Sequence, residues 1–298
     1  MSPTPSLPPS LTPPPTPPGA LAFDLVGPPS APTVLFLHGL GVSRWSWQPQ
    51  VAALQGDFRV LTVDLPGNGE SAGLPWVSLD DTADRLAALL AAHATGGRAH
   101  VVGLSLGGYV ALRLLERHPA VVASVLVSGV TTRPFPAPRA WRLLFRAMFP
   151  LMRLGPVLAL NARMLRLSPA QGALMRRDMR ALSRESFVRI YEEMLGFALP
   201  ATPRPPPCPL LAVAGTRETG QILQGLVDFP RAYPGSRTRT VPGAHHGWSG
   251  EQPGLFARTV RLHASGEPPP AELHGEDALP PALVPAGAPT APAAPPRG

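Results

Sequence analysis

The stretch from His100 to Pro119 is the part of this chain that admits the fewest folds. Val101 and Val102 lead a short apolar strand, and Tyr109, Leu112 and Leu115 recur at helical spacing until Pro119 ends the helix. Gly103, Ser105 and Gly107 stand between the two halves, so the serine occupies a sharp strand-to-helix turn. Glycine suits both flanks, because without a Cβ the strand and the helix can approach closely while the serine takes a strained backbone conformation. The hydroxyl is thereby pushed outward, and the helix N-terminus behind it adds partial positive charge. A Gly-rich turn that merely joins strand to helix has the same letters, but the strand before and the helix after favour a serine placed for chemistry.

The flanking sequence extends this unit into a repeating pattern. Leu21 to Val26, Thr33 to Leu37, Phe58 to Val63, Val121 to Val127 and Leu210 to Ala214 are short apolar runs bounded by turn residues. Helical patterns separate them: Trp45 to Leu54, the stretch opening at the N-cap Ser78 and closing at Gly96-Gly97, and Gln221 to Phe229. Arg237 to Val241 is a poor strand on periodicity and is placed by order, and Pro253 to His263 reads as a closing helix. Alternation of this kind makes crossover units, so the expected fold class is α/β, a mostly parallel central sheet flanked by helices. Ligands of such sheets bind beyond the C-terminal strand ends, where His38, Asp64 and Ser105 all fall.

Between residues 131 and 200 the strand pattern gives way to helical periodicity. Trp141, Leu144, Phe145 and Met148 share one face, with Arg139, Arg142 and Arg146 opposite. Ser168-Pro169 reads as an N-cap with a first-turn proline, and Phe187, Ile190, Tyr191, Met194 and Leu195 form a stripe ended by Gly196. The expected organisation is thus a core over 21–130 and 201–264, a helical cap over 131–200, and disordered Pro-rich tails over 1–20 and 265–298.

Composition narrows the chemistry. The net charge of +7 and pI near 11.0 allow an acidic partner, but the chain has no lysine and its arginines are scattered through the helical insert. Solvated helix faces account for that better than a nucleic-acid footprint, while a basic amphipathic helix also permits contact with a membrane surface. The opening residues lack a charged start with an apolar core, and no apolar run is long enough to span a bilayer, so a soluble, cytoplasmic protein without stable membrane insertion is expected. Cys208, the single cysteine, lies between Pro207 and Pro209 and reads as an inert linker residue. Histidine spacing offers no metal ligand set and no phosphate-cradling glycine loop is present, so no metal or cofactor is expected.

Four motifs in order, His38-Gly39, Asp64-x-x-Gly67-x-Gly69-x-Ser71, the Ser105 turn and Gly243-x-x-His246, resemble those of the α/β-hydrolase fold family over roughly residues 21 to 264. The resemblance implies a nucleophile at Ser105, a base at His246 and an acid at Glu218, in the chain order of that fold. It also implies oxyanion donors from the backbone N–H groups of Leu40 and Leu106, a supporting rather than basic role for His38, and a loop brace at Asp64. Asn68 stands where a histidine is common, and Glu218 where Asp is the commoner acid. Two alternatives stay open: His245 in place of His246, and Asp228, read as a solvated surface carboxylate, in place of Glu218. A serine hydroxyl needs such a base, and the base an acceptor that fixes its tautomer. Ester or related acyl hydrolysis of a small, largely apolar substrate is the expected function. The same triad also serves acyltransferases, perhydrolases and carbon–carbon bond hydrolases, and a non-catalytic ligand-binding protein can share the fold.

Overall fold

The computed structural model describes residues 19–165 and 167–275. Seven strands form one sheet in the order β1-β3-β2-β4-β5-β6-β7: β1 (Phe23–Val26), β2 (Thr33–Leu37), β3 (Arg59–Val63), β4 (Ala99–Leu104), β5 (Val122–Ser128), β6 (Leu210–Gly215) and β7 (Arg237–Val241). β1 is antiparallel to β3, and every other neighbouring pair is parallel. Chain order and spatial order part at β2 and β3, which makes the edge between β2 and β4 the place where loops from both halves meet.

The strands are apolar throughout because both faces are covered. Along β2, Leu35 and Leu37 join one core cluster while Val34 and Phe36 join the other, and Val101 and Val102 divide in the same way on β4. On the first face lie α2 (Leu79–His93), α3 (Leu106–Arg117) and α8 (Gly220–Ala232). α1 (Gln48–Leu54) and α10 (Pro253–Ala264) cover the second, where Trp47, Leu54, Phe256 and Val260 are buried. Burying each such side chain contributes roughly 1.5–3 kcal/mol. Ser78 caps α2 by accepting the Asp81 N–H at 3.0 Å, and Gly96 and Gly97 beyond its end both have positive φ.

The strand placed by order at Arg237–Val241 is present, and the tail expected from residue 265 is revised. β7 pairs along its whole length with β6 although its sequence is Arg-Thr-Arg-Thr-Val; as an edge strand it buries Thr238 and Thr240 and turns Arg237 outward, an alternation that a count of apolar residues misses. Residues 265–275 pack on the domain instead of starting a free tail. Leu273 is buried in the second cluster, and Thr240 exchanges two backbone hydrogen bonds with His274, at 2.9 and 3.0 Å. The remainder of the tails, 1–18 and 276–298, lies outside the described residues.

Between β5 and β6 the chain leaves the sheet for four helices: α4 (Pro138–Met152), α5 (Gly155–Met164), α6 (Pro169–Ala181) and α7 (Arg184–Gly196). Ser168 opens α6 with a capping box shared with Gln171. Their interior is a third cluster, with Phe149, Leu158, Met175, Met179 and Phe187 buried and Leu40 and Val42 of the β2 loop packed against it.

Candidate active site

Ser105 sits between β4 and α3 at φ 54° and ψ −119°, a left-handed conformation that costs a non-glycine residue about 1–3 kcal/mol. Its neighbours hold it there. A Cβ on Gly103 would stand 2.2 Å from the Gly107 carbonyl oxygen, and one on Gly107 would stand 2.1 Å from that of Leu37, so strand, turn and helix close only with glycine at both places. The Ser105 N–H donates to the Ser128 carbonyl at 2.8 Å, tying the turn to the end of β5.

Gly129 follows Ser128 and carries the second half of the site. A Cβ there would meet the His246 ring at 2.5 Å from Cε1 and Glu218 Oε1 at 3.5 Å, so the imidazole lies directly on the backbone that anchors Ser105. His246 Nδ1 is 3.0 and 3.2 Å from the two Glu218 carboxylate oxygens. The Glu218 side chain is 2% exposed and that of His246 42%, so the acid is sealed while the ring faces solvent on one side. The loops that carry them are stitched together: Thr216 N–H donates to Val241, Arg217 N–H to Ala244, and Gly243 N–H to Thr216 Oγ1, all within 3.0 Å. That backbone register places residue 218 opposite residue 246. His245 instead turns to Glu251, its Nδ1 3.2 Å from Oε1, and does not contact Glu218.

The third side of the site is the loop after β2. A Cβ on Gly39 would lie 3.4 Å from Ser105 Cβ and 4.0 Å from Oγ, so this loop passes in contact with the serine, with Leu40 next in line. Leu106 opens α3, where first-turn N–H groups have no acceptor inside the helix. His38 is fully buried; its Nε2 accepts the Leu65 N–H at 3.0 Å, which leaves the proton on Nδ1 to donate to the Gly39 carbonyl at 2.8 Å. Burial holds its pKa below the usual imidazole range, so it braces the loop as a neutral ring. Asp64, also fully buried, accepts the N–H groups of Arg44 at 2.7 Å and Glu70 at 2.8 Å and pairs with the Arg44 guanidinium. Asn68 is buried and donates to Pro66.

Asp228 is not the solvated carboxylate expected from its place in a helix. It accepts from Thr132 Oγ1 at 2.7 Å, from Arg133 Nε and Nη2 at 2.8 and 2.7 Å, and from Gln224, so it anchors the segment that leads into the cap helices. The Arg133 ion pair and these hydrogen bonds outweigh burial and leave its pKa low. Cys208 is half-buried, and desolvation pushes its thiol up to about 11, away from nucleophilic character.

Several residues that organise this region escape sequence reasoning. Asp178 on α6 is buried and accepts the Trp45 indole N–H at 2.7 Å, while Met179 Sδ would lie 3.0 Å from a Cβ on Gly41. The cap is thereby fastened to the loop that also carries Leu40. Glu193 on α7 accepts from the Trp76 indole at 2.9 Å and the Leu79 N–H at 2.7 Å. Tyr109 exchanges hydrogen bonds with Thr131 at the start of the linker. A charged residue inside an apolar helical stripe, such as Asp178 between Met175 and Met179, is the available signal; its partner 133 residues away is not.

Residues 34–259 match the alpha/beta hydrolase family. The chain belongs to that family. Among curated relatives, it is 45% identical over 104 residues to a putative carbamate hydrolase, RutD, of Yersinia enterocolitica, covering 34% of this chain and 37% of that protein. To 3-oxoadipate enol-lactonase 1 of Acinetobacter baylyi it is 37% identical over 109 residues, 37% of this chain and 41% of the relative. The matched segments thus span about two-fifths of those relatives. A solved hydrolase from Pseudomonas aeruginosa aligns with a TM-score of 0.70 at 24% identity, over 83% of this chain and 94% of that one, a likeness of fold. An esterase from Thermogutta terrifontis aligns at 0.66 and 25% identity over 83% of this chain and 93% of its own.

Proposed function

We propose that this alpha/beta hydrolase family member is a serine hydrolase that cleaves an ester or related acyl bond of a small, largely apolar substrate through an acyl-enzyme on Ser105. The carrying observation is the contact set around Gly129: a strained serine anchored through Ser128, and a histidine on Gly129 bonded to a buried glutamate. Ser105 Oγ attacks the acyl carbonyl while His246 Nε2 takes its proton, and Glu218 holds Nδ1–H and stabilises the imidazolium. The developing oxyanion accepts from the N–H groups of Leu40 and Leu106. His246 then returns the proton to the departing oxygen or nitrogen. It next draws a proton from water, which attacks the acyl-enzyme and regenerates Ser105. The apolar cap interior next to Leu40 and Val42 supports an uncharged acyl group.

The family's relatives include proteins named carbamate hydrolase, enol-lactonase and methyl ester esterase, all consistent with acyl chemistry at such a site. The test is labelling with an active-serine phosphonate together with a panel of uncharged p-nitrophenyl esters. One label on Ser105 and turnover of the esters are expected, with both lost in folded Ser105→Ala. Undiminished turnover in that variant overturns the assignment.

A further inference from the structure

Eight large apolar side chains are exposed among the described residues, and seven of them lie on α4, on α5 or at their ends. Leu143 is 73% exposed, Leu160 58% and Leu151 56%, with Leu154 at the bend and Leu165 at the far end. Phe149 of α4 faces the cap interior and Trp141 and Phe145 are half-buried, so the helix is apolar on its inner side and again on its outer one. The charge pattern is as one-sided. Residues 138–167 carry six arginines and no aspartate or glutamate. Arg142 pairs with Glu192 of α7, whereas Arg139, Arg146 and Arg163 make no ion pair among the described residues.

We infer that the outer face of α4 and α5 docks on a lipid bilayer rich in anionic headgroups and presents the site to amphiphilic acyl substrates held there. An apolar face flanked by arginine is what an interfacial helix needs: leucines enter the acyl boundary while guanidiniums bind phosphate. No single described helix is long and apolar enough to cross the bilayer, and the axes of α4 and α5 bend by 94° between Met152 and Gly155. Two helices at a right angle span a plane, the arrangement that lets both lie along an interface. A second copy of this chain is the poorer occupant, since a two-fold contact would set two acid-free arginine sets against each other. The patch also reaches the catalytic edge: Leu165 Cδ2 lies 3.5 Å from where a Cβ on Gly247, the neighbour of His246, would stand. An acyl chain leaving the bilayer would therefore meet apolar surface up to the site. This substrate class rests on the proposed serine hydrolase reading; the docking itself does not.

The experiment uses the full chain with extruded vesicles of phosphatidylcholine alone or with 30% phosphatidylglycerol, read by co-sedimentation, with p-nitrophenyl acetate turnover and light scattering in parallel. Binding to the anionic vesicles, weaker in high salt, is expected. Leu143→Glu with Leu151→Glu should lower it at least about 10-fold while soluble ester turnover stays within about two-fold, and Arg139→Gln with Arg146→Gln should lower it roughly 10-fold. Equal affinity for neutral and anionic vesicles, or a doubly substituted protein that binds like the parent, overturns docking. A dimer that ignores vesicles and is split by the leucine substitutions overturns it in favour of a second copy. Vesicle binding by a protein that turns over no ester keeps the docking and sinks the hydrolase reading.

Discussion

Glu218 and Asp228 are ten residues apart on one loop and helix, and their neighbours separate their roles. Glu218 is sealed and faces a single histidine; Asp228 is shared among Thr132, Arg133 and Gln224. Glu218→Gln should therefore lower kcat by about 10²–10⁴-fold in steady-state ester hydrolysis, because an amide can hold the wrong imidazole tautomer and cannot stabilise the imidazolium. Asp228→Asn should leave kcat within a few-fold and lower the thermal midpoint instead, since Arg133 loses its counter-charge at the entrance to the cap. The opposite pattern would move the acid to Asp228. At this scale the sequence is explicit about Ser105, because Gly103, Gly107 and the change from strand to helix lie within a few residues of it, although the Leu37 and Ser128 carbonyls that close on the turn come from other strands. It is less so about Glu218, whose facing histidine is set by hydrogen bonds between two loops.

At the scale of elements, the cap is fastened to the sheet at a few polar points. The Asp178–Trp45 bond joins α6 to the loop after β2, and Glu193 joins α7 to Trp76 and the start of α2. Removing the buried acceptor in Asp178→Ala leaves an indole N–H without a partner, which costs about 1–3 kcal/mol. Chemical denaturation should register that loss, and KM for apolar esters should rise more than kcat falls, because the loop in contact with Ser105 loses its cap support. Unchanged stability and KM would show the tie to be incidental. The helices themselves are legible from periodicity and from caps such as Ser168-Pro169. Which of their apolar sides faces inward is not, since α4 is apolar on both.

For the whole molecule, buried histidines link stability to pH. His263 is buried and donates from Nε2 to the Val125 carbonyl at 2.9 Å, and desolvation lowers its pKa from 6.5 to about 4. Below pH 6.5 the unfolded chain takes up a proton that the folded protein refuses, so its contribution is complete above 6.5. It is lost as pH falls toward 4, by about 3 kcal/mol in all. His38 and His100, also held low by burial, act with the same sign. His263→Gln, which keeps a donor but cannot titrate, should flatten the fall of stability between pH 6.5 and 4 in urea titrations; an unchanged slope refutes the assignment. Truncation gives a second check. Removing 276–298 should leave the melting temperature unchanged, as the Pro-rich composition suggests, whereas removing 268–298 should lower it by several degrees through loss of Leu273 and the His274 bridge. Equal melting temperatures would show that the packed segment contributes nothing.

The residue pattern alone determined the α/β class, the sheet flanked by helices, the helical character of 138–196 and the strained serine. Each of these follows from local periodicity, capping or glycine placement, which act over a few residues. Only the tertiary structure decided that β7 lies at the sheet edge beside β6, that the segment around Leu273 and His274 packs against it, that Asp228 anchors a linker, and that Asp178 reaches Trp45. Those depend on contacts between residues up to 133 positions apart. Such contacts leave no period in the sequence, because the free energy that selects them comes from burial and hydrogen-bond satisfaction once the chain has closed.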